Sequence, residues 1–404
     1  MWAAIALAVP IYRSLPGVAG IAWLGLTFAA IILSACLGLG ARPRFAGIWV
    51  VSGYGALIAI ITATELGTVD GNLRVGLQLF VALGLGAFAL AGAAQRGSQF
   101  YPKVIGAFMV TQSLSSAAAL IQLSGTPVLG FSTVNDRAPG LAGHPNVLGL
   151  MSAIALILSL TIALSRRNLP VVLLAAALNV GGLLATGSLS AMSACGLGLV
   201  VTAIACRVRV HTIVQTGVIV LIAFWALTSF TSFGASIETP GDRFLQVTGQ
   251  TEAVSTLEIR GDTYQYAWDS IQRSPWAGVG LNSSDAASFD GFTVVHNLFL
   301  RSWFQGGVLL ALGVALIVAA AVFVALQSMR RGRDGAAAGV LVAVMFFALT
   351  SAFFEQPYYW LPVLLAFTAT RPDSISNLTA ANIKPMRAAR RECLRNMTSS
   401  DAGV

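Results

Sequence analysis

Over most of this chain apolar positions neither alternate nor recur at three- and four-residue intervals. They fill whole runs, at 2–12, 17–40, 45–63, 74–94, 103–124, 146–164, 169–186, 190–206, 212–231, 306–326, 335–354 and 357–370. Most are about as long as a helix must be to cross ~30 Å of hydrocarbon. In lipid each backbone N–H and C=O needs a partner within its own segment, so the runs are expected to be helices. The alternating pattern of an outer-membrane barrel is absent. The pattern predicts an all-α polytopic membrane helical bundle of 11–12 transmembrane helices with one large external loop containing short helices. The opening MWAAIALAVPIY lacks a basic n-region and a clear cleavage site, and it is expected to be a short first helix.

Polar residues collect between these runs. Most connections are a few residues long, but 125–145 (GTPVLGFSTVNDRAPGLAGHP) and 232–305 are not. Loops of that length are usually functional. Four regions follow: an N-terminal bundle over 1–231 that includes loop 125–145, a large external loop over 232–305, C-terminal spans over 306–370, and a cytoplasmic tail over 371–404. Within the large loop, Tyr264, Ala267, Trp268 and Ile271 recur at helical spacing, with Arg260 one turn before Tyr264 on the same face. Pro275 should end that helix, and WAGVGLNSS is a glycine turn. HNLFLRSWFQ then makes a short amphipathic helix near the interface. Asn297, Arg301 and Gln305 form one stripe, and His296, Leu300 and Trp303 form another.

Composition sharpens the class. Hydrophobic residues make up 56% of the 404, charged residues 10%, and mean hydropathy is +0.79, whereas a soluble domain is about a quarter charged. The formal charge of +8 suggests nucleic acid until its distribution is examined. The connections at 42–44, 95–103, 165–168, 207–211 and 330–334, with the tail, hold 17 of the 24 Lys+Arg and only 4 of the 16 Asp+Glu. Short basic loops stay in the cytoplasm, so the charge reports topology and implies no nucleic-acid partner. None of the four cysteines (36, 195, 206 and 393) falls in an external connection or at metal-ligand spacing, so no structural disulfide is expected.

RGDTYQYAWDSIQRSPWAGVG (260–280), the His-Asn at 296–297 with a Gly-led membrane helix after it, and RAPGLAGHPNVLG (137–149) together resemble the O-antigen ligase and O-antigen polymerase superfamily of bacterial membrane glycosyltransferases. ATGSLSA (185–191) is similar to a further element, although Leu189 stands where arginine is common and Gln305 where an acid is frequent. The resemblance covers roughly 125–365. It implies transfer of a glycan from a polyprenyl-pyrophosphate-linked donor to an acceptor glycan or glycolipid, outside the cytoplasmic membrane.

Such chemistry must stabilise a departing pyrophosphate with a metal or with arginines. The chain has no Asp-x-Asp motif and no external carboxylate cluster at ligand spacing, so no metal or other cofactor is expected. The resemblance therefore casts Arg137, Arg243, Arg260 and Arg301 as pyrophosphate ligands. His296 becomes the general base, with Asn297, Trp268 and His144 as sugar contacts. Arg74 and Arg273 read more simply as surface cations near headgroups, and His211 belongs to the basic side. The competing class is a transporter or flippase of a lipid-linked or amphipathic solute. It would need polar or ionisable groups near the bilayer midplane, whereas the chain's charges gather outside its apolar runs.

Overall fold

The computed structural model describes residues 18–63, 68–134, 136–165, 169–209, 211, 215, 256–282, 294–351 and 353–370. The expected span 2–12, the expected span 212–231 apart from residue 215, Arg243 and the tail lie outside these residues. Eleven helices are described. They are α1 (Val18–Cys36), α2 (Ala46–Thr62), α3 (Val69–Arg96), α4 (Phe100–Leu123), α5 (Pro145–Leu164), α6 (Leu169–Ala185), α7 (Leu189–Ala205), α8 (Thr256–Arg273), α9 (Leu298–Arg331), α10 (Gly335–Ala348) and α11 (Pro357–Ala369). The centre of α3, Phe80–Gly86, is π-helical. By length and composition α3, α4, α5 and α9 can each cross a membrane alone. The chain is a multi-pass, all-α membrane protein.

Small residues let these helices approach closely, which in lipid supplies the packing that water would otherwise drive. On α2, Gly55 lies where a Cβ would be 3.0 Å from the backbone of Leu309 on α9, and Ser52 meets Gly313 one turn further along. Between α4, α5 and α6 the glue is polar but uncharged. Gln112 donates to Ser152 (2.9 Å) and Ser116 donates to Asn179 (3.0 Å), all four side chains being buried.

The basic connections gather at one end. Arg44 reaches the Thr370 carbonyl (3.1 Å) and Gln327, and Gly332, the left-handed cap of α9, lies against Arg207. The other connections meet at the opposite end, where Asn297 donates to the Leu349 carbonyl (3.3 Å) and Asn72 accepts from the Asn282 backbone (3.2 Å).

Two elements differ from the sequence expectation. HNLFLRSWFQ and the following span form one helix, α9, broken at Gly307, where φ is 78° and ψ is 179°. The expected span 335–354 stops at Ala348, so 349–356 is a connection that carries the single charged residue of 335–370, Glu355.

Candidate active site at one end of the bundle

The break in α9 explains the Ser-Pro and Gly-x-Gly turn. The carbonyls of Phe304 and Gln305 lose their helical donors at Gly307. They accept instead from the backbone N–H groups of Val279 (2.9 Å) and Gly280 (3.1 Å), while Val308 N–H donates to the Trp276 carbonyl (3.3 Å). Trp303 Nε1 donates to the Pro275 carbonyl (2.8 Å). Orphaned backbone groups in an apolar setting are costly, so the turn and the break stabilise each other. The approach requires two glycines: a Cβ on Gly278 would lie 2.5 Å from Gly307 N, and both glycines have positive φ.

α8 packs on the first turns of α9. Ala267 and Ile271 bury against Val279, Val295 and Phe304. The Tyr264 hydroxyl donates to the backbone carbonyl of His296 (3.0 Å), holding the residue just before α9. Asn297 caps α9 by accepting from Leu300 N–H (3.0 Å) and reaches the Leu349 carbonyl with its amide nitrogen. Both its side-chain oxygen and its nitrogen therefore hold backbone in place.

His296 is half-buried, and its Nδ1 is shielded from solvent without a hydrogen bond. Burial, then the charges of Arg260, Arg301 and His144, push its pKa down to about 4, while the Val294 backbone works the other way. The imidazole is therefore neutral at pH 7 and able to accept a proton. Arg260, one turn before Tyr264, has a buried Nε without a partner. An anion arriving beside these cations would satisfy Arg260 and raise the basicity of His296.

Arg301 is 5% exposed. Its Nε donates to Gln305 Oε1 (2.8 Å), its guanidinium lies 4.9 Å from the centre of the Phe354 ring, and its Nη2 is 3.9 Å from Glu355 Oε2. The Asn297–Arg301–Gln305 stripe thus turns inward to the α10–α11 connection, its arginine engaged within the protein. Glu355 was not among the sequence candidates, because it falls in the two-residue gap between the runs 335–354 and 357–370, where a lone acid reads as an ordinary loop residue. Its signal was its solitude: one acid among aromatic residues in FFEQPYYW.

Loop 125–145 is pinned rather than open. Gln122 accepts from Gly140 N–H (2.8 Å) and donates to the carbonyls of Gly140 (3.1 Å) and Phe131 (3.2 Å). Arg137 donates to the Thr186 carbonyl and to Asn146 Oδ1, both at 2.6 Å, tying the loop to the α6–α7 turn and to α5. Thr186 and Gly187 belong to ATGSLSA, so Arg137 brings a guanidinium beside the turn that leads to Leu189. His144 caps α5, its Nδ1 accepting from Asn146 N–H (3.1 Å). Asn146, unsingled by sequence, thus links Arg137 to His144.

His296, Arg260, Arg301 and His144 share one electrostatic neighbourhood, with Arg137 one residue removed through Asn146. Trp268 is 44% exposed and stands edge-on to Trp303, with ring centres 6.2 Å apart. Among the described residues no three of His, Cys, Asp and Glu gather as metal ligands do.

Residues 171–315 match the family model described as O-antigen ligase. The matched segment contains α8, the Gly-x-Gly turn, His296 and the break in α9. It supports the O-antigen ligase and polymerase family for this chain, as the motifs at 260–280 and 296–297 imply. The match lends support to an O-antigen ligase-like role in surface-polysaccharide biosynthesis. No curated protein matches the chain.

Proposed function

We propose that this protein transfers a glycan from a polyprenyl-pyrophosphate carrier to the hydroxyl of an acceptor sugar, as polymerase or ligase, with inversion and without a metal. The observation that carries the reading is a neutral, shielded imidazole, His296, set among Arg260, Arg301 and His144.

His296 takes the proton of the acceptor hydroxyl. The oxygen attacks the anomeric carbon on the face opposite the leaving group, the new C–O bond forms, and the bond from that carbon to the phosphate oxygen breaks. The electron pair leaves on the pyrophosphate, whose growing charge Arg260 stabilises through its unpartnered Nε, with Arg137 and Arg243 as further ligands. Arg301, engaged by Gln305 and Glu355, contributes field and position. His144 and Trp268 border the sugars, and Asn297 holds His296 at the head of α9. The positive-inside distribution of the sequence supports a site outside the cytoplasmic membrane and a cytoplasmic C-terminus.

Purified protein in nanodiscs, given the host's lipid-linked glycans with EDTA present, should release free polyprenyl pyrophosphate. A ladder of repeats means a polymerase, and release that depends on a distinct acceptor means a ligase. No release from any of these donors would overturn the reading.

A further inference from the structure

At the end of the bundle opposite the basic connections, the turn at 274–280 rests on two spans at once. Val308 N–H donates to the Trp276 carbonyl (3.3 Å), which sets the turn at the break in α9. Thr62 Oγ1, at the end of α2, donates to the Ala277 carbonyl (3.4 Å). The backbone of the turn is thus fixed, yet the Trp276 side chain is 78% exposed. An indole is apolar over its rings and carries one N–H. Wide exposure to water is costly for it, and it is favoured where the rings meet acyl chains and the N–H meets headgroups.

Its neighbours show what the indole meets. Along α2, Tyr54, Ile58 and Ile61 are exposed, and along the spanning part of α9 so are Leu309 and Leu312. The two helices pack on each other, Gly55 against Leu309, so these outward apolar faces are what a multi-pass protein turns to acyl chains. Ile61, also 78% exposed, precedes Thr62, and Trp276 precedes Ala277. The Thr62–Ala277 contact therefore puts both side chains at the rim of that lipid-facing surface. His296 lies at the other end of the first half of α9, where Leu298 to Gly306 spans ~14 Å at ~1.5 Å per residue. The indole is placed with the spans rather than with the sugars.

We propose that Trp276 and Ile61 anchor the protein to the bilayer surface at this end of the bundle, the indole lying at the level of the headgroups and Ile61 among the upper acyl carbons. The contact is made by a ring and an apolar side chain, so it selects no particular headgroup. It pins the break at Gly307 to the interface, so that α9 crosses hydrocarbon only after Gly307. The head of α9, beside His296, then stands no more than ~14 Å from that level. The placement does not depend on the transfer reaction.

The full-length protein is made with fluorotryptophan, reconstituted in nanodiscs and observed by fluorine NMR, the Trp276 line being identified by its absence from Trp276→Phe and from Trp276→Tyr. Nitroxide lipids carry the spin label at the headgroup, high on the acyl chain or at the chain terminus, and a gadolinium chelate is the probe in water. The Trp276 line should be lost with the label at the headgroup or high on the chain, and retained with the label at the terminus. Ile61→Trp, at an exposed position, should add one line that is lost with the label high on the chain. Loss of the Trp276 line with gadolinium alone, the lipid labels leaving it intact, would put the indole in water or against a glycan and overturn the proposal. A line lost only with the terminal label would overturn it as well.

Discussion

Arg301 Nη2 stands 3.9 Å from Glu355 Oε2, joining α9 to the α10–α11 connection at the head of the bundle. The arginine is almost wholly buried, and that carboxylate oxygen has no hydrogen-bond partner. At 3.9 Å the pair is an ion pair without a direct hydrogen bond. Glu355 Oε1 is fixed by the Gln356 amide at 2.9 Å, so the carboxylate is held in place rather than free to close the gap.

Glu355→Ala should therefore strip a buried guanidinium of its counter-charge and destabilise the protein by roughly 1–3 kcal/mol. Arg301→Lys should not restore function in the presence of Glu355, because an ammonium cannot lie over Phe354 and reach Gln305 together. Thermal unfolding in detergent and the rate of polyprenyl pyrophosphate release check the two effects. An Arg301→Lys protein as active as wild type would show that the guanidinium geometry is immaterial.

The lowered pKa of His296 makes a signed prediction. Folding drops it from 6.5 to about 4, so the unfolded chain binds the proton first as pH falls. His296's contribution to stability should be flat above pH 6.5 and should be lost progressively down to pH 4. His296→Gln should flatten that decline. Arg260→Gln removes the largest charge that depresses the imidazole, so the acid limb of its pH–rate profile should move to higher pH. A limb that stays in place would separate Arg260 from His296.

The turn at 274–280 and the break in α9 should fail together. Gly278→Ala would drive a methyl to 2.5 Å from Gly307 N and 2.8 Å from the Gln305 carbonyl, at a φ of +74°. A loss of several kcal/mol, read as poor folding, is expected, since no flexible side chain can yield there. Gly261→Ala on α8, with nothing within 4 Å of the new methyl, should instead be neutral or stabilise by about 0.5–1 kcal/mol.

Arg137→Lys should cost about 1–2 kcal/mol, because one ammonium cannot serve both the Thr186 carbonyl and Asn146 with the reach of a guanidinium. It should also raise the apparent KM for the lipid-linked donor if loop 125–145 borders the pyrophosphate. Asn146→Ala should give a similar loss of stability, and the double variant less than the sum. Additive losses in the double variant would mean that the two side chains act separately.

Much of this molecule was legible along the chain because lipid leaves the backbone few choices. A run such as 146–164 must be a helix if it is to cross hydrocarbon, and Pro145–Leu164 is one. Charge is equally direct, since 42–44, 207–209 and 330–334 repel the apolar phase and collect at one end. The order Arg260, Trp268, Ser274-Pro275, Gly278, His296-Asn297 carried the family resemblance, which the match over 171–315 supports.

Contacts distant in sequence were not legible. The hydropathy of 335–354 hides the place where α10 stops, so the connection carrying Glu355 was read as only two residues long, and only the fold sets it against Arg301, 54 positions earlier. Asn297 and Arg301 read as a stripe open to ligand. In three dimensions one is a helix cap and the other is buried against Phe354 and Gln305. The sequence by itself determined which segments are helical, which end is basic and which residue types are present for the chemistry, because each depends on local composition and on the partition between water and lipid. Only the tertiary structure decided which of those polar groups satisfy one another and which, like His296 Nδ1 and Arg260 Nε, are buried without a hydrogen-bond partner. That depends on helices separated by a hundred residues or more meeting at one end of the bundle.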